Sequence, residues 1–496
     1  MMPGGRAGPG YHPAPVRVRR TLLAALAVAA VAVAARLPGM IEDPLWQDEV
    51  ASARVLLEPS AGAVFGRIER TESTPPAWYL VAWAAHKAGL SVEGTRVLSV
   101  LAGAALAALV VLYGRRLLPL WAATSAGLLA ALGAQFVSRG HELRAYALFS
   151  LLAVVFARAL ESAAGSPTRP RLVALAATAG LGLLTHYFFA LLLVCGLVWL
   201  WTSGRHRGRA TAAVVLGTLP ALAWLPSFLD QYHNQRFAWI SAFDPVKAVS
   251  VYSSFFWNPG PLYVRTEHVE LGPAEITARV AVLLLVVVGS AVVARRSATG
   301  RLVALLALLP TALAVVIWAA GADILTTRNL FCVAPFAALA IAAALAALPS
   351  RAALPATGIA LALAVGGLAY ERTLAPPAYD RLAAALVDEG WRLGDPVAFY
   401  PDAHELSYFG SSYALRSPVG WYLPGHPMMR LPTTEQTSCE RAYVVAPVGR
   451  QSALLDATAA REVVGSIAVA RIACSPGLED RVSADGAVWF VSMPPT

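Results

Sequence analysis

Long apolar runs alternate with short polar stretches along most of the chain, and only residues 1–20 and 371–496 depart from that rhythm. The apolar runs fall at 21–37, 97–113, 117–137, 145–160, 172–204, 210–229, 276–294, 302–322, 330–350 and 352–370. A helix needs about 20 apolar residues to cross a bilayer, and most of these runs come close to that length. The 33 residues of 172–204 would make a helix of roughly 50 Å against a hydrocarbon core of about 30 Å. That run therefore reads as two short spans with Thr185-His186-Tyr187 as their external turn, which gives eleven spans in all. Residues 75–90 open with Pro75-Pro76-Ala77-Trp78-Tyr79 and are interrupted by His86 and Lys87. They read as an interfacial helix, because only then do Arg115 and Arg116 emerge on the cytoplasmic side.

Charge agrees with this count. It places Arg115, Arg116 and the basic stretches 158–171, 205–209, 295–301 and Arg351 in cytoplasmic loops, where Glu161 is the lone acid. Residues 1–20, rich in Gly, Pro and Arg, read as a disordered cytoplasmic arm. Residues 21–37 lack a convincing cleavage site and read as an anchor. Residues 21–370 thus form a transmembrane domain, with 36–96 as its first external loop. An odd span count puts 371–496 outside. This tail reads as a small α/β domain, with an amphipathic helix at 376–391 and strands at 396–400, 442–448, 463–472 and 487–493. Aromatic residues in 226–275, namely Trp239, Phe243, Tyr252, Phe255, Phe256, Trp257 and Tyr263, suit an interfacial helix near lipid tails.

Composition sharpens the class. At 57% hydrophobic and 14% charged the chain lies outside the soluble range and reads as an all-α polytopic membrane protein with an appended α/β tail. The net charge of +9 does not point to nucleic acid, because the arginines sit in short loops where they set orientation. Cys195 and Cys332 fall in apolar runs, and no metal-ligand spacing is present. Cys439 and Cys474 have the compartment for a disulfide, although spacing alone does not establish one.

The candidate chemistry lies in three external loops. Eight carboxylates, Glu42, Asp43, Asp48, Glu49, Glu58, Glu69, Glu72 and Glu93, crowd the first. The second reads Ser138-Arg139-Gly140-His141-Glu142-Leu143-Arg144-Ala145-Tyr146, and the third, 323–328, ends at Arg328 just before an apolar run. Carboxylates suit a general base or a grip on sugar hydroxyls. Arginines at headgroup depth suit a phosphate, because the planar guanidinium matches its oxygens. Arg144 and Arg328 both begin spans and are the expected pair for the phosphate of a lipid-borne polar group. Plainer roles exist: Asp48 as a cap for a short helix at 50–57, and the arginines as snorkelling anchors.

Trp46-Gln47-Asp48-Glu49, then Glu72-Ser73-Thr74-Pro75-Pro76-Ala77-Trp78-Tyr79, then Arg144-Ala145-Tyr146 resemble the GT-C superfamily of polytopic membrane glycosyltransferases. The similarity is to the bacterial branch related to protein O-mannosyltransferases and the lipid A aminoarabinose transferase, and covers roughly residues 21–200. Thr327-Arg328-Asn329 is also similar to members of that family. The resemblance implies transfer of a sugar from a polyprenyl-phosphate donor to a cell-envelope acceptor, a glycan, lipid or protein, at the outer membrane face, usually with inversion. It implies Asp48 at the active site, as base or donor-site organiser, with Glu72 matching an acid at the start of the interfacial helix. Several relatives carry an aspartate where this chain has His141-Glu142, so Glu142 is the corresponding candidate. Asp48, Glu49 and Glu142 are thus expected in catalysis, and Glu72, Arg139, His141, Arg144, Tyr146, His186 and Arg328 in substrate binding. No metal or other cofactor is expected to be obligatory, although a divalent cation would find acids here. A lipid-linked sugar flippase and a membrane-anchored assembly protein remain the alternative readings.

Overall fold

The computed structural model describes residues 15–234, 240, 243–257, 272–373, 378–400, 418–430, 441–447, 461–464, 467–473 and 488–493. Helix α1 (Pro15–Glu42) leads to three short helices, α2 (Gln47–Leu56), α3 (Ala61–Thr71) and α4 (Ala77–Lys87). A bundle follows: α5 (Val97–Gly114), α6 (Leu120–Leu132), α7 (Ala134–His141), α8 (Tyr146–Gly165), α9 (Arg169–Thr185), α10 (Phe189–Ser203), α11 (Arg207–Thr218), α12 (Leu225–His233), α13 (Pro245–Phe256), α14 (Pro273–Ala294), α15 (Ala298–Ala319), α16 (Ala334–Ala346) and α17 (Ser350–Thr373).

Among the described residues seven helices are long and apolar enough to cross a membrane, or eight if α6 and α7, bent by 54° at Gly133, count together as one broken span. The protein is a multi-pass membrane protein. Each of the eleven expected spans meets a helical segment, but α9, α10 and the 331–346 segment are shorter than a full crossing. The 172–204 run does divide, at His186-Tyr187-Phe188. At 11 residues, or roughly 16 Å, α4 is too short to span.

The bundle's outer helices show their position by asymmetry. In α1, Ala25, Val28 and Ala32 are buried on one face while Leu22, Leu23 and Leu26 are exposed on the other. Exposed leucine rows of this kind have a favourable surrounding only in lipid. Helix α16 lies at the opposite extreme, with every residue from Ala334 to Leu345 buried, as expected of a helix apolar on all sides. It packs so closely on α14 that a Cβ on Gly289 would meet the Ala340 carbonyl oxygen at 1.7 Å.

Two expectations are corrected by the fold, the first in α13. Three aromatics of α13 do not face lipid: Tyr252, Phe255 and Phe256 are buried in the bundle core, and the Tyr252 hydroxyl donates to the Ala307 carbonyl at 2.7 Å. A hydroxyl with a partner lets a tyrosine enter a packed core, which periodicity cannot reveal. Trp239 and Tyr263 lie outside the described residues.

Beyond the bundle, α18 (Tyr379–Asp388) precedes strands β1 (Pro396–Phe399), β2 (Met428–Arg430), β3 (Arg441–Pro447), β4 (Arg461–Val464), β5 (Ile467–Ala473) and β6 (Val488–Met493). They form one mixed sheet of order β2-β6-β1-β3-β5-β4, in which β1 and β3 run parallel and the other neighbours antiparallel. Tyr379, Leu382, Ala383 and Leu386 of α18 cover Val397, Phe399, Tyr443, Val445 and Phe490, making a second core. The run expected as one strand at 463–472 is instead two, with Val464 opposite Ile467. Gly465-Ser466 is a hairpin signal that the apolar pattern overrode. Strand β2 has three residues, too few to show alternation. Cys439 and Cys474 lie outside the described residues.

Candidate functional site

Pro44 ends α1's extension, and the chain re-enters helix at Gln47 with Trp46 as the cap residue. Asp48 and Glu49 therefore both stand in the first turn of α2, where the helix dipole favours negative charge. Their side chains part company. Glu49 turns inward and is 1% exposed. Its carboxylate accepts from Arg96 Nε at 2.7 Å and Nη2 at 2.5 Å, from the Leu143 amide at 2.6 Å, and from the Trp46 amide at 3.4 Å. Asp48 is thus not the cap of a helix at 50–57: the helix begins at Gln47, Trp46 is its cap residue, and the side chain that reaches back to that residue's amide is Glu49. Arg96 completes the knot by donating to the carbonyls of Asp43 at 2.6 Å and Pro44 at 3.2 Å.

Asp48 turns the other way. Its Oδ2 accepts from Arg328 Nη1 at 2.8 Å, in a pair whose side chains keep 29% and 23% exposure. The Arg328 guanidinium lies 4.8 Å from the Trp46 ring centre, and that of Arg139 lies 5.7 Å from the same ring. Stacking on an aromatic face holds a guanidinium without using its edge donors. Arg139 also pairs with Glu142 at 2.5 Å and donates to Gln135 Oε1 at 3.2 Å. Glu142 is buried, and its Oε2 has no hydrogen-bond partner among the described residues. Burial raises the Glu142 carboxyl pKa, with Arg139 pulling against it.

His141, on the last turn of α7, donates from Nδ1 to the Val137 carbonyl at 2.9 Å, with Nε2 3.2 Å from Asp43 Oδ2. Arg372 of α17 approaches the same Asp43 oxygen at 3.5 Å. Glu72 and Arg144 form a separate, deeper cluster. Glu72 Oε2 accepts from Arg144 Nη1 at 2.8 Å and from the Tyr79 hydroxyl at 2.5 Å. Arg144 Nη1 also contacts Ser52 Oγ at 3.0 Å, the Asp48 carbonyl at 3.2 Å and the Tyr79 hydroxyl at 3.2 Å. Burial pushes the Tyr79 phenol well above its ordinary range; Arg144 opposes this, and Glu72 reinforces it. This explains the spacing of the Glu72-to-Tyr79 motif: α4 carries Tyr79 back over the acid that precedes it, and Arg144 fastens both beneath α2.

His186 lies in the break between α9 and α10, buried and stacked on Phe149 at 4.3 Å and 13°. Its Nδ1 accepts from the Phe188 amide at 3.3 Å, and burial, aided by Arg144, lowers its pKa to about 3. Tyr146 is buried beside it, with Arg139 5.9 Å from its ring.

The expected site residues thus fall into two groups. Asp48, Arg328 and Arg139 are partly open around Trp46. Glu49, Glu72, Glu142, His141, Arg144, Tyr146 and His186 are buried. Among the described residues no group of three or more His, Cys, Asp or Glu is arranged to hold a metal ion. Trp46 itself, Asp43 and Arg96 were not among the expected site residues; a Trp two residues before the acid was the available signal.

The tail also reaches this loop. The Tyr422 hydroxyl accepts from the Leu45 amide at 2.7 Å, and Arg54 donates to the carbonyls of His426 at 3.1 Å and Pro427 at 3.0 Å. Trp46 packs against the tail's core.

Neither a protein-family model nor a curated protein sequence matches the chain. Solved structures do. ArnT from Cupriavidus metallidurans bound to undecaprenyl phosphate is similar with a TM-score of 0.53 and 14% identity, over 92% of this chain and 98% of that one. Its apo form gives 0.54 and 13%, over 93% and 98%. The Archaeoglobus fulgidus oligosaccharyltransferase in complex with Zn and sulfate gives 0.47 and 15%, over 74% of this chain and 56% of that one. The two ArnT structures show that this chain shares their fold along nearly its whole length.

Proposed function

We propose that this protein is a membrane glycosyltransferase that moves a sugar from a polyprenyl-phosphate donor to a cell-envelope acceptor at the outer face, with inversion. In this reading the N-terminus is cytoplasmic and residues 371–496 are extracytoplasmic. The observation that carries it is the partly open Asp48–Arg328 pair beside Arg139 and Trp46, on a fold shared with a structure that binds undecaprenyl phosphate.

The chemistry is a single displacement. The acceptor hydroxyl attacks the anomeric carbon, the bond from that carbon to the phosphate oxygen breaks, and Asp48 takes the hydroxyl proton. The departing polyprenyl phosphate keeps the bonding electrons, and fixed guanidinium groups stabilise its charge. Arg328 and Arg139 fit that role better than the Arg144–Arg328 pair expected from sequence, because Arg144 is committed to Glu72, Tyr79 and Ser52. An incoming phosphate competes with Asp48 for Arg328 and so frees the carboxylate to act as base. Glu49 and Glu72 hold the loop rather than touch substrate, and Glu142 restrains Arg139. Guanidinium charge makes a metal unnecessary in this scheme.

The test is transfer by the purified protein from synthetic polyprenyl-phosphate sugars to envelope extracts, with mass spectrometry of envelope lipids, glycans and secreted proteins from cells with and without the gene. A sugar missing from one class in the deleted cells, and restored in vitro, identifies the acceptor. No difference in any class and no transfer in vitro would refute the reading.

A further inference from the structure

Arg36 belongs to the buried face of α1, one turn beyond Ala32, and is itself fully buried. An arginine at a span end ordinarily snorkels to water, and this one does not. It donates to four backbone carbonyls: Ala32 at 2.8 Å, Ala131 at 3.1 Å, Ala130 at 3.2 Å and Phe136 at 2.7 Å. The carbonyls of Ala130 and Ala131 lie in the last turn of α6, where a helix runs out of amides to satisfy them and carries partial negative charge. Phe136 lies in the first turns of α7. One guanidinium therefore bridges both sides of the 54° bend. No proline lies within residues 120–141, and a side chain set among the freed carbonyls is one of the recognised causes of such a break. The receptacle is shaped for it. A Cβ on Gly140 would stand 2.2 Å from Arg36 Nε, and one on Gly103 2.7 Å from the same atom.

We infer that Arg36 is a positioning residue: it fixes the angle at which α7 leaves α6 and thereby sets where Arg139, His141 and Glu142 stand relative to Asp48. The consequence for catalysis rests on the function proposed above; the consequence for α7 does not. His141 lies five helical steps beyond Phe136, so a change in tilt of about 20° displaces that end by roughly 2–3 Å. Misplacement of about 1 Å is enough to cost on the order of 10²-fold in rate.

The experiment uses the full-length protein in detergent with two readouts, hydrogen exchange of the 134–142 amides and steady-state transfer from a synthetic polyprenyl-phosphate sugar. Arg36→Met removes the donors but keeps length. Gly140→Ala keeps Arg36 and crowds its guanidinium, so it serves where Arg36→Met folds poorly. Both are expected to speed exchange at 134–142. Both are also expected to raise the donor KM about tenfold or more, since Arg139 rides on α7; a loss of folded protein alone would lower kcat and leave KM unchanged. In an Arg36→Ala background the added Gly140→Ala methyl enters vacated space, so its effect should nearly vanish, a coupling that independent sites do not show. Wild-type exchange and donor KM in the folded single variants, or additive effects in the double variant, would overturn the inference. Altered exchange with no transfer by any form, wild type included, would uphold the role of Arg36 at the bend and refute the glycosyltransferase reading instead.

Discussion

Adjacent carboxylates Asp48 and Glu49 should fail in opposite ways when neutralised. Glu49 is 1% exposed and shares its two oxygens among Arg96 and the amides of Trp46 and Leu143. Glu49→Gln leaves Arg96, itself 2% exposed, as a buried cation without its anion and turns an amide NH2 toward groups that are all donors. Removing one partner of a buried pair costs about 3–5 kcal/mol. Asp48 and Arg328 are partly solvated, so breaking their contact costs no more than about 1 kcal/mol. A lost general base, by contrast, costs on the order of 10²- to 10⁴-fold in rate. The assay pairs thermal unfolding of detergent-purified protein, followed by size-exclusion, with initial rates of sugar transfer normalised to folded protein. Glu49→Gln should unfold at a markedly lower temperature, and Asp48→Asn should unfold near the wild type yet transfer poorly. A Glu49→Gln protein with the wild-type midpoint would refute the knot around Arg96. Asp48→Asn protein with normal turnover would remove Asp48 from the chemistry.

Arg328→Lys keeps the charge but loses the fork, so donor KM should rise severalfold, whereas Arg144→Lys should chiefly lower thermal stability by loosening Glu72, Tyr79 and Ser52; kinetics and unfolding of the two variants separate these outcomes. His186 is buried with its pKa lowered to about 3, so its stabilising contribution is complete above about pH 6.5, the ordinary histidine value, and is lost as pH falls toward 3. His186→Phe should therefore flatten the fall in unfolding midpoint between about pH 6.5 and 4.5, and an unchanged slope would contradict the assignment. A phosphatase fused after Thr496 should be active and a cytoplasm-dependent fluorescent fusion dark; the reverse pattern would shift the topology by one span.

Helices were legible because lipid leaves a polar backbone few options, and an uninterrupted apolar run has one outcome. The division of 172–204 followed from length alone. What could not be read was direction. Asp48 and Glu49 are neighbours in one acidic motif, and only tertiary structure shows that one meets Arg96 inside while the other meets Arg328 near solvent. Arg36 and Arg144 each looked like an arginine at a span boundary. Both are buried, because carbonyls freed at a helix break and a carboxylate from a distant loop are supplied by parts of the chain remote in sequence. Tyr252 and Phe255 misled for the same reason: an aromatic residue suits a membrane interface and a packed core alike, and only the packing around Phe255 and the Ala307 carbonyl that takes the Tyr252 hydroxyl decide.

Trp46 is packed into the C-terminal core on one side and bordered by Arg139 and Arg328 on the other. Residue 371 is consequently a poor crossover point for chimaeras, however cleanly composition changes there. A foreign tail joined at that point would leave the Leu45 amide without Tyr422 and Arg54 without the two carbonyls it now grips, and would present an unmatched surface to the indole. The transplantable unit is discontinuous, the tail together with residues 44–54, so a hybrid that exchanges both pieces should retain activity where one that exchanges the tail alone should not.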